Sequence, residues 1–202
     1  MRPEIDFELR HIYKNFGDKN IFTNFNLIFP KMGFTAIMGP SGYGKTTLIN
    51  LILGIVKPDH GQILGFDNKE IAAVFQEDRL LEHKSGLDNI LFVLRDGAKA
   101  GDVAWEMLAR VGLAQDAHKK ARDYSGGMRR RLALCRALAA DFDILILDEP
   151  FKGMDAALKP KIMALVKQKC AGKTVFFITH DRTEADFFDS HIIDISNRPF
   201  AN

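Results

Sequence analysis

Apolar and polar positions along the chain change period several times, and each change marks an element. Phe7-Glu8-Leu9-Arg10-His11-Ile12-Tyr13 alternates with the period of an edge strand. Asn15 to Asn20, with Gly17 and Asp18 inside it, reads as a turn, and Phe25 to Phe29 reads as a second strand closed by Pro30. Phe34-Thr35-Ala36-Ile37-Met38 is a short apolar strand, and Leu48 to Leu53 continues as a helix that ends around Lys57 to Gly61. Two strand-like pieces follow, Gln62 to Leu64 and Ile71 to Phe75. From Leu87 to Leu113 the spacing turns helical, with Trp105, Leu108 and Val111 repeating at three, which predicts a small helical lobe. Leu132, Cys135, Leu138 and Ala139 form the apolar stripe of a helix from Arg129 to Ala140. Ile144-Leu145-Ile146-Leu147 is a continuous apolar run, the mark of a parallel strand buried on both faces. A helix from about Ala156 to Cys170, a strand from Thr174 to Ile178, a helix after Asp181 and a strand from His191 to Ile195 complete the pattern. Strands alternating with helices predict an α/β fold around a parallel sheet.

Composition narrows the function classes. A chain of 202 residues with 47% hydrophobic content suits one domain, or one domain with a lobe, around a real core. The net charge of +2 is too small to argue by itself for a nucleic-acid surface. Cys135 and Cys170 are the only cysteines and lack ligand spacing, which predicts neither a disulfide framework nor a zinc site and fits a reducing compartment. The first residues, Met1 to Asp6, hold no apolar signal core, and no stretch approaches membrane-spanning length, so work at a membrane would pass through a partner. Only a short tail follows the last strand, so no added regulatory domain is expected.

The chemistry starts at Gly39-Pro40-Ser41-Gly42-Tyr43-Gly44-Lys45-Thr46-Thr47, which reads G-x-x-x-x-G-K-[ST] between a predicted strand and a predicted helix. Gly39, Gly42 and Gly44 let the backbone turn its N–H groups toward phosphate oxygens, and the following helix adds the positive end of its dipole. In such a loop Lys45 reaches the β- and γ-phosphates and the Thr46 hydroxyl ligates Mg²⁺. At the end of the apolar run, Asp148 is placed to hold Mg²⁺, and Glu149, pointing elsewhere, to polarise an attacking water. Tyr124-Ser125-Gly126-Gly127-Met128 puts a serine and two glycines at a helix N-terminus, either a second anion cradle or a plain serine cap.

With these residues in order, the chain resembles the ATP-binding subunit of an ABC transporter over nearly its whole length. The Walker A loop is Gly39 to Thr46, the Walker B segment is Ile144 to Glu149, and Ser125-Gly126-Gly127 matches the family signature. Gln76 falls at the Q-loop glutamine, Asp155 at the D-loop aspartate and His180 at the switch histidine. Phe16 sits where an aromatic residue stacks on adenine, with Tyr13 as its rival. Tyr124 and Met128 depart from the commonest signature, which has leucine and glutamine there.

The resemblance implies an α/β P-loop NTPase core with a mixed, mainly parallel sheet, a small antiparallel β lobe and a helical lobe. It implies a single ABC ATPase domain over 1–202, with the core at about 1–86 and 124–202 and the helical lobe at about 87–123. The segment before Gln76 is short for the family, so a trimmed β lobe is expected. ATP and Mg²⁺ are the implied cofactors. Glu149, His180 and Gln76 are the implied catalytic residues, and Thr46, Gln76 and Asp148 the implied metal positions. The nucleotide is implied to meet Phe16, Gly39, Pro40, Ser41, Gly42, Tyr43, Gly44, Lys45, Thr46, Thr47 and Asp155, with the Ser125-Gly126-Gly127 signature from the second copy of a homodimer.

The implied partners are that second subunit, an integral membrane permease and an extracytoplasmic substrate-binding protein, at the cytoplasmic face of the inner membrane, with no nucleic acid. Phe75 to Leu81, Ser125 to Arg129 and Ser196-Asn197-Arg198-Pro199 resemble importers of the nitrate, sulfonate and taurine type. Leu80 and Leu81 either face a permease helix or pack in the core. Arg129-Arg130-Arg131 reads as a basic helix face. A soluble ABC ATPase of DNA repair or ribosomes is the alternative. A small-molecule kinase sharing the phosphate loop is a third reading, disfavoured by the Ser125 motif.

Overall fold

The structure is a computed structural model and describes residues 7–94, 97 and 99–197. It opens with a hairpin of β1 (Phe7–Phe16) and β2 (Lys19–Phe29), closed by the two-residue turn Gly17-Asp18 with Gly17 at φ 56°. The turn is tighter than the Asn15 to Asn20 stretch predicts, because pairing continues to Phe16 opposite Lys19. β3 (Gly33–Met38) leads through the glycine loop into α1 (Lys45–Ile52). That helix stops at Ile52, short of Lys57, where Leu53 caps it and Gly54 takes φ 68°. β4 (His60–Leu64) pairs with β1, and Gly61 lies so close to that strand that a Cβ would stand 2.4 Å from the His11 carbonyl oxygen. β5 (Ile71–Val74) precedes α2 (Gly86–Leu91), α3 (Ala100–Arg110) and α4 (Gly126–Ala139). The rest is β6 (Ile144–Asp148), α5 (Lys159–Lys169), β7 (Thr174–Ile178), α6 (Arg182–Phe187) and β8 (His191–Asp194).

Among the described residues the strands form two sheets. One is antiparallel with order β2-β1-β4, the small β lobe. The other is parallel with order β5-β6-β7-β3-β8. The predicted α/β architecture is borne out, and the apolar run explains its core. Successive side chains of a strand point to opposite faces. Leu145 and Leu147, with Val175 and Phe177, join the core under the helices, while Ile144 and Ile146, with Phe176 and Ile178, join the core under α1 and the antiparallel sheet.

The helical segment corrects the predicted spacing. Ala104, Met107, Leu108 and Val111 are buried, but Trp105 is 39% exposed and meets His118 edge-on at 5.5 Å. Spacing of three and four selects the inner face; a strict three drifts around the helix. α2 starts in a reciprocal capping box between Ser85 and Asp88. Leu80 packs in the helical-side core and Leu81 is half-buried, so Leu80 is not an open docking residue in this chain. α5 starts at Lys159 rather than near Ala156, with Pro160 in its first turn. Arg198 and Pro199 lie outside the described residues.

Candidate nucleotide site

Parallel strands all deliver their C-terminal ends to one edge of the sheet, and the site forms there. β3 ends at Met38 and releases the glycine loop; β6 ends in Asp148, β7 at Ile178 before Thr179 and His180, and β5 at Val74 before Gln76. A cavity of about 330 Å³ opens at this edge, lined by Ser41, Gly42, Gly44, Lys45, Thr46, Thr47, Gln76, Asp148 and Glu149. Lys19 and Ile21 from β2 and Lys152 also line it. Phe16 is not among its lining residues; it stands 49% exposed at the hairpin tip, with the Lys14 ammonium 5.2 Å from its ring centre. Tyr13 meets His60 edge-on.

The loop is shaped for anions. Gly39, Gly42 and Gly44 all take positive φ, which other residues adopt only with strain. Lys45 Nζ donates to the carbonyls of Gly39 at 2.7 Å and Pro40 at 2.8 Å, folding the ammonium over the loop. The Thr46 hydroxyl lies 3.5 Å from Asp148 Oδ2. Burial, then the neighbouring Glu149 charge, holds the Asp148 carboxyl above its usual range. An exposed hydroxyl beside a buried carboxylate that wants positive charge fits Mg²⁺ at Thr46 and Asp148. No group of three His, Cys, Asp or Glu side chains among the described residues could hold a metal alone, so further ligands would come from phosphate and water.

Glu149 sits at φ 47°, a left-handed conformation costly for a side-chain-bearing residue. Its N–H donates to the Ile178 carbonyl at 3.1 Å and its carbonyl accepts from Arg130 at 2.8 Å. The carboxylate turns into the cavity, where Oε2 accepts from Lys152 Nζ at 2.6 Å and Oε1 lies 3.7 Å from His180 Nδ1. The Lys152 hydrogen bond holds the Glu149 carboxyl below its usual range despite partial burial.

Sequence patterning misreads the arginine triplet, because each guanidinium is engaged by chain distant in sequence. Arg129 pairs with Glu82 at 2.8 Å, and Arg131 donates to the Val111 carbonyl at 2.7 Å. Arg130 is buried, donating to the carbonyls of Phe75, Asp148 and Glu149 and pairing with Asp78 at 3.3 Å. It therefore ties the segment carrying Gln76 to the one carrying Asp148 and Glu149. A second unforeseen network sets the His180 loop. The Thr179 hydroxyl donates to the buried Glu184 at 2.6 Å, and Lys159 bridges Glu184 at 2.7 Å and Asp181 at 2.9 Å.

Ser125 and Gly126 are exposed at the N-terminus of α4, where the Ser125 hydroxyl accepts from Met128 N at 3.3 Å. Ser125 does not line the Lys45 cavity, while Gly126 borders a smaller cleft with Gln76 and Glu149. Asp155 accepts from the N–H groups of Ala157 at 2.9 Å and Leu158 at 3.2 Å. Tyr124 donates to the Asp116 carbonyl at 2.7 Å and leaves no room for a Cβ at Gly86.

The model of the ABC transporter family matches residues 22–152. The chain belongs to the ABC transporter family. This cassette is 34% identical to the taurine import ATP-binding protein TauB of Escherichia coli (strain K12), over 95% of the chain and 80% of that protein. TauB of Shigella dysenteriae serotype 1 (strain Sd197) is also 34% identical, over 94% of the chain and 79% of that protein. Among solved structures, the dimeric post-hydrolysis state of the cassette MJ0796 bound to ADP and Pi superposes with a TM-score of 0.83 at 30% identity, covering 94% of each chain. A second dimeric structure of MJ0796, a bacterial ABC transporter cassette, gives 0.82 at 29% identity, covering 95% of this chain and 97% of that one. Like its family, this cassette binds ATP and is an ATPase.

Proposed function

We propose that this cassette powers solute import through a separate permease, hydrolysing MgATP at the Lys45 cavity. The observation that carries the reading is the convergence of the glycine loop, Gln76, Asp148, Glu149 and His180 at one sheet edge. The relatives named as import ATP-binding proteins favour transport over DNA repair or ribosome work. Lys45 and the Gly39–Thr47 amides bind the triphosphate; Thr46, Asp148 and Gln76 would hold Mg²⁺, which would supply positive charge to the phosphate oxygens. Glu149 accepts a proton as water attacks the γ-phosphorus and the bond to the bridging oxygen breaks, giving ADP and phosphate. His180, beside Glu149, positions that water, and Phe16 stacks on adenine.

The Ser125-Gly126-Gly127 cradle, with Ser125 and Gly126 exposed, and Asp155 serve the nucleotide of a second copy, which fits the absence of Ser125 from the lining of this chain's own cavity. The whole chain acts as one ABC ATPase domain with its helical lobe at about 87–123. The homodimer works as a peripheral subunit at the cytoplasmic membrane face, on a permease fed by an extracytoplasmic binding protein. No helix among the described residues is long and apolar enough to cross a membrane, so the permease supplies the spans.

Glu149→Gln tests the reading. It keeps shape and removes the basic oxygen, so the variant binds MgATP, elutes as a dimer in size-exclusion chromatography with ATP, and releases phosphate at least ~10²-fold more slowly. Wild-type turnover in this variant refutes the role of Glu149 and moves the assignment to His180.

A further inference from the structure

Lys152 belongs to none of the motifs that mark the site, yet its ammonium sits inside it. The side chain leaves the loop after β6 and turns back to Glu149, with Nζ 2.6 Å from Oε2. It lines the same cavity as Lys45, Thr46 and Asp148, and the smaller cleft that holds Gln76 and Gly126. The side chain is 57% exposed, so no packing forces this direction; the partner carboxylate does.

Of the three lysines that line the cavity, Lys45 and Lys152 are engaged by protein oxygens, but unequally. Lys45 is held by backbone carbonyls of the loop it serves. Lys152 is held by the carboxylate that must instead face a water. Oε2 is occupied by Lys152, while Oε1 lies 3.7 Å from His180 Nδ1, beyond hydrogen-bond reach. A triphosphate in the cavity offers a denser negative charge than one carboxylate, and an ammonium on a flexible stem follows it.

We propose, building on the ATPase reading, that Lys152 is a γ-phosphate-binding residue that Glu149 holds in reserve. Arrival of the γ-phosphate draws Lys152 off Oε2 and frees that oxygen for the water, so the exchange readies Glu149 only when the third phosphate is present. ADP, lacking that phosphate, leaves the Lys152–Glu149 pair closed.

Equilibrium binding of fluorescent ATP and ADP, with and without Mg²⁺, tests this on wild type, Lys152→Met, Lys152→Arg and Lys45→Ala. Lys152→Met weakens ATP about tenfold, the scale of one charge-assisted contact discounted for an exposed lysine, and leaves ADP unchanged. Lys152→Arg, which keeps the charge, restores most of the ATP affinity. Equal losses for ATP and ADP, or no loss, overturn the proposal. Faster hydrolysis by Lys152→Met with an unaltered ATP-to-ADP ratio also overturns it, since Lys152 would then only restrain Glu149. Failure of the ATPase reading looks different: wild type would not bind ATP, or Lys45→Ala would bind it as well as wild type.

Discussion

Replacing Arg130 by methionine probes the joint between the catalytic strands. Arg130 is 7% exposed and serves three carbonyl oxygens, those of Phe75, Asp148 and Glu149, besides the Asp78 carboxylate. Methionine fills much of the volume and supplies no donor. Each carbonyl keeps a second lone pair for other partners, which limits the loss per oxygen, but Asp78 is left half-buried with only the more distant Arg129, at 3.9 Å, as a cation. Breaking a buried ion pair from one side costs about 3–5 kcal/mol. Against a total domain stability of about 5–15 kcal/mol that is a large share. At about 2–4 °C per kcal/mol for a chain of this size, the melting temperature falls by roughly 6–20 °C.

Turnover falls further than stability requires, because the Glu149 carbonyl anchor that offsets its φ of 47° is gone. Thermal unfolding followed by circular dichroism, beside phosphate release measured well below the new transition, separates the two effects. Lys at this position keeps the charge but lacks the fork that spans strands β5 and β6, and rescues only part. A melting temperature within about 2 °C of wild type, a change of under one kcal/mol, refutes the clasp and returns Arg130 to an ordinary basic face.

Two further expectations concern the lobe and the switch loop. Gly86→Ala places a Cβ 2.1 Å from the Tyr124 hydroxyl oxygen, so chemical denaturation finds it destabilised, and Tyr124→Phe in the same chain recovers part of the loss. Asp181 is pushed down to about 2 by the Thr183 hydroxyl and then by Lys159, so its contribution is present above the unfolded value near 3.9 and is lost as pH falls from there through about 2. The stability of Asp181→Asn, followed by urea titration between pH 5 and 2, therefore falls less steeply than that of wild type.

What was legible in the sequence follows from the range of the forces involved. The glycine loop, the Ser125 cap and the apolar β6 run are written locally: positive φ selects glycine, orphan helix N–H groups select serine, and burial on both faces selects an unbroken Ile-Leu run. Those signals were enough to order the elements and to bring Lys45, Asp148 and Glu149 into one expectation, to which the family resemblance added His180. Element ends were less legible, since α1 stops at Ile52 for reasons of packing and capping beyond a periodicity. Trp105 left its expected face and Leu80 took the core, one of its two open readings, because burial depends on which neighbour a helix or loop meets.

Only tertiary structure could decide the uses of charge. Arg130 reads as one of three basic residues until folding brings carbonyls of Phe75, Asp148 and Glu149 around it. Glu184, which no motif singles out, is buried where Thr179 and Lys159 close over it. A charged side chain is compatible with solvent, an ion pair or a ligand at nearly equal local cost. Its partner is chosen by chain that is distant in sequence and near in space, and that choice belongs to the fold.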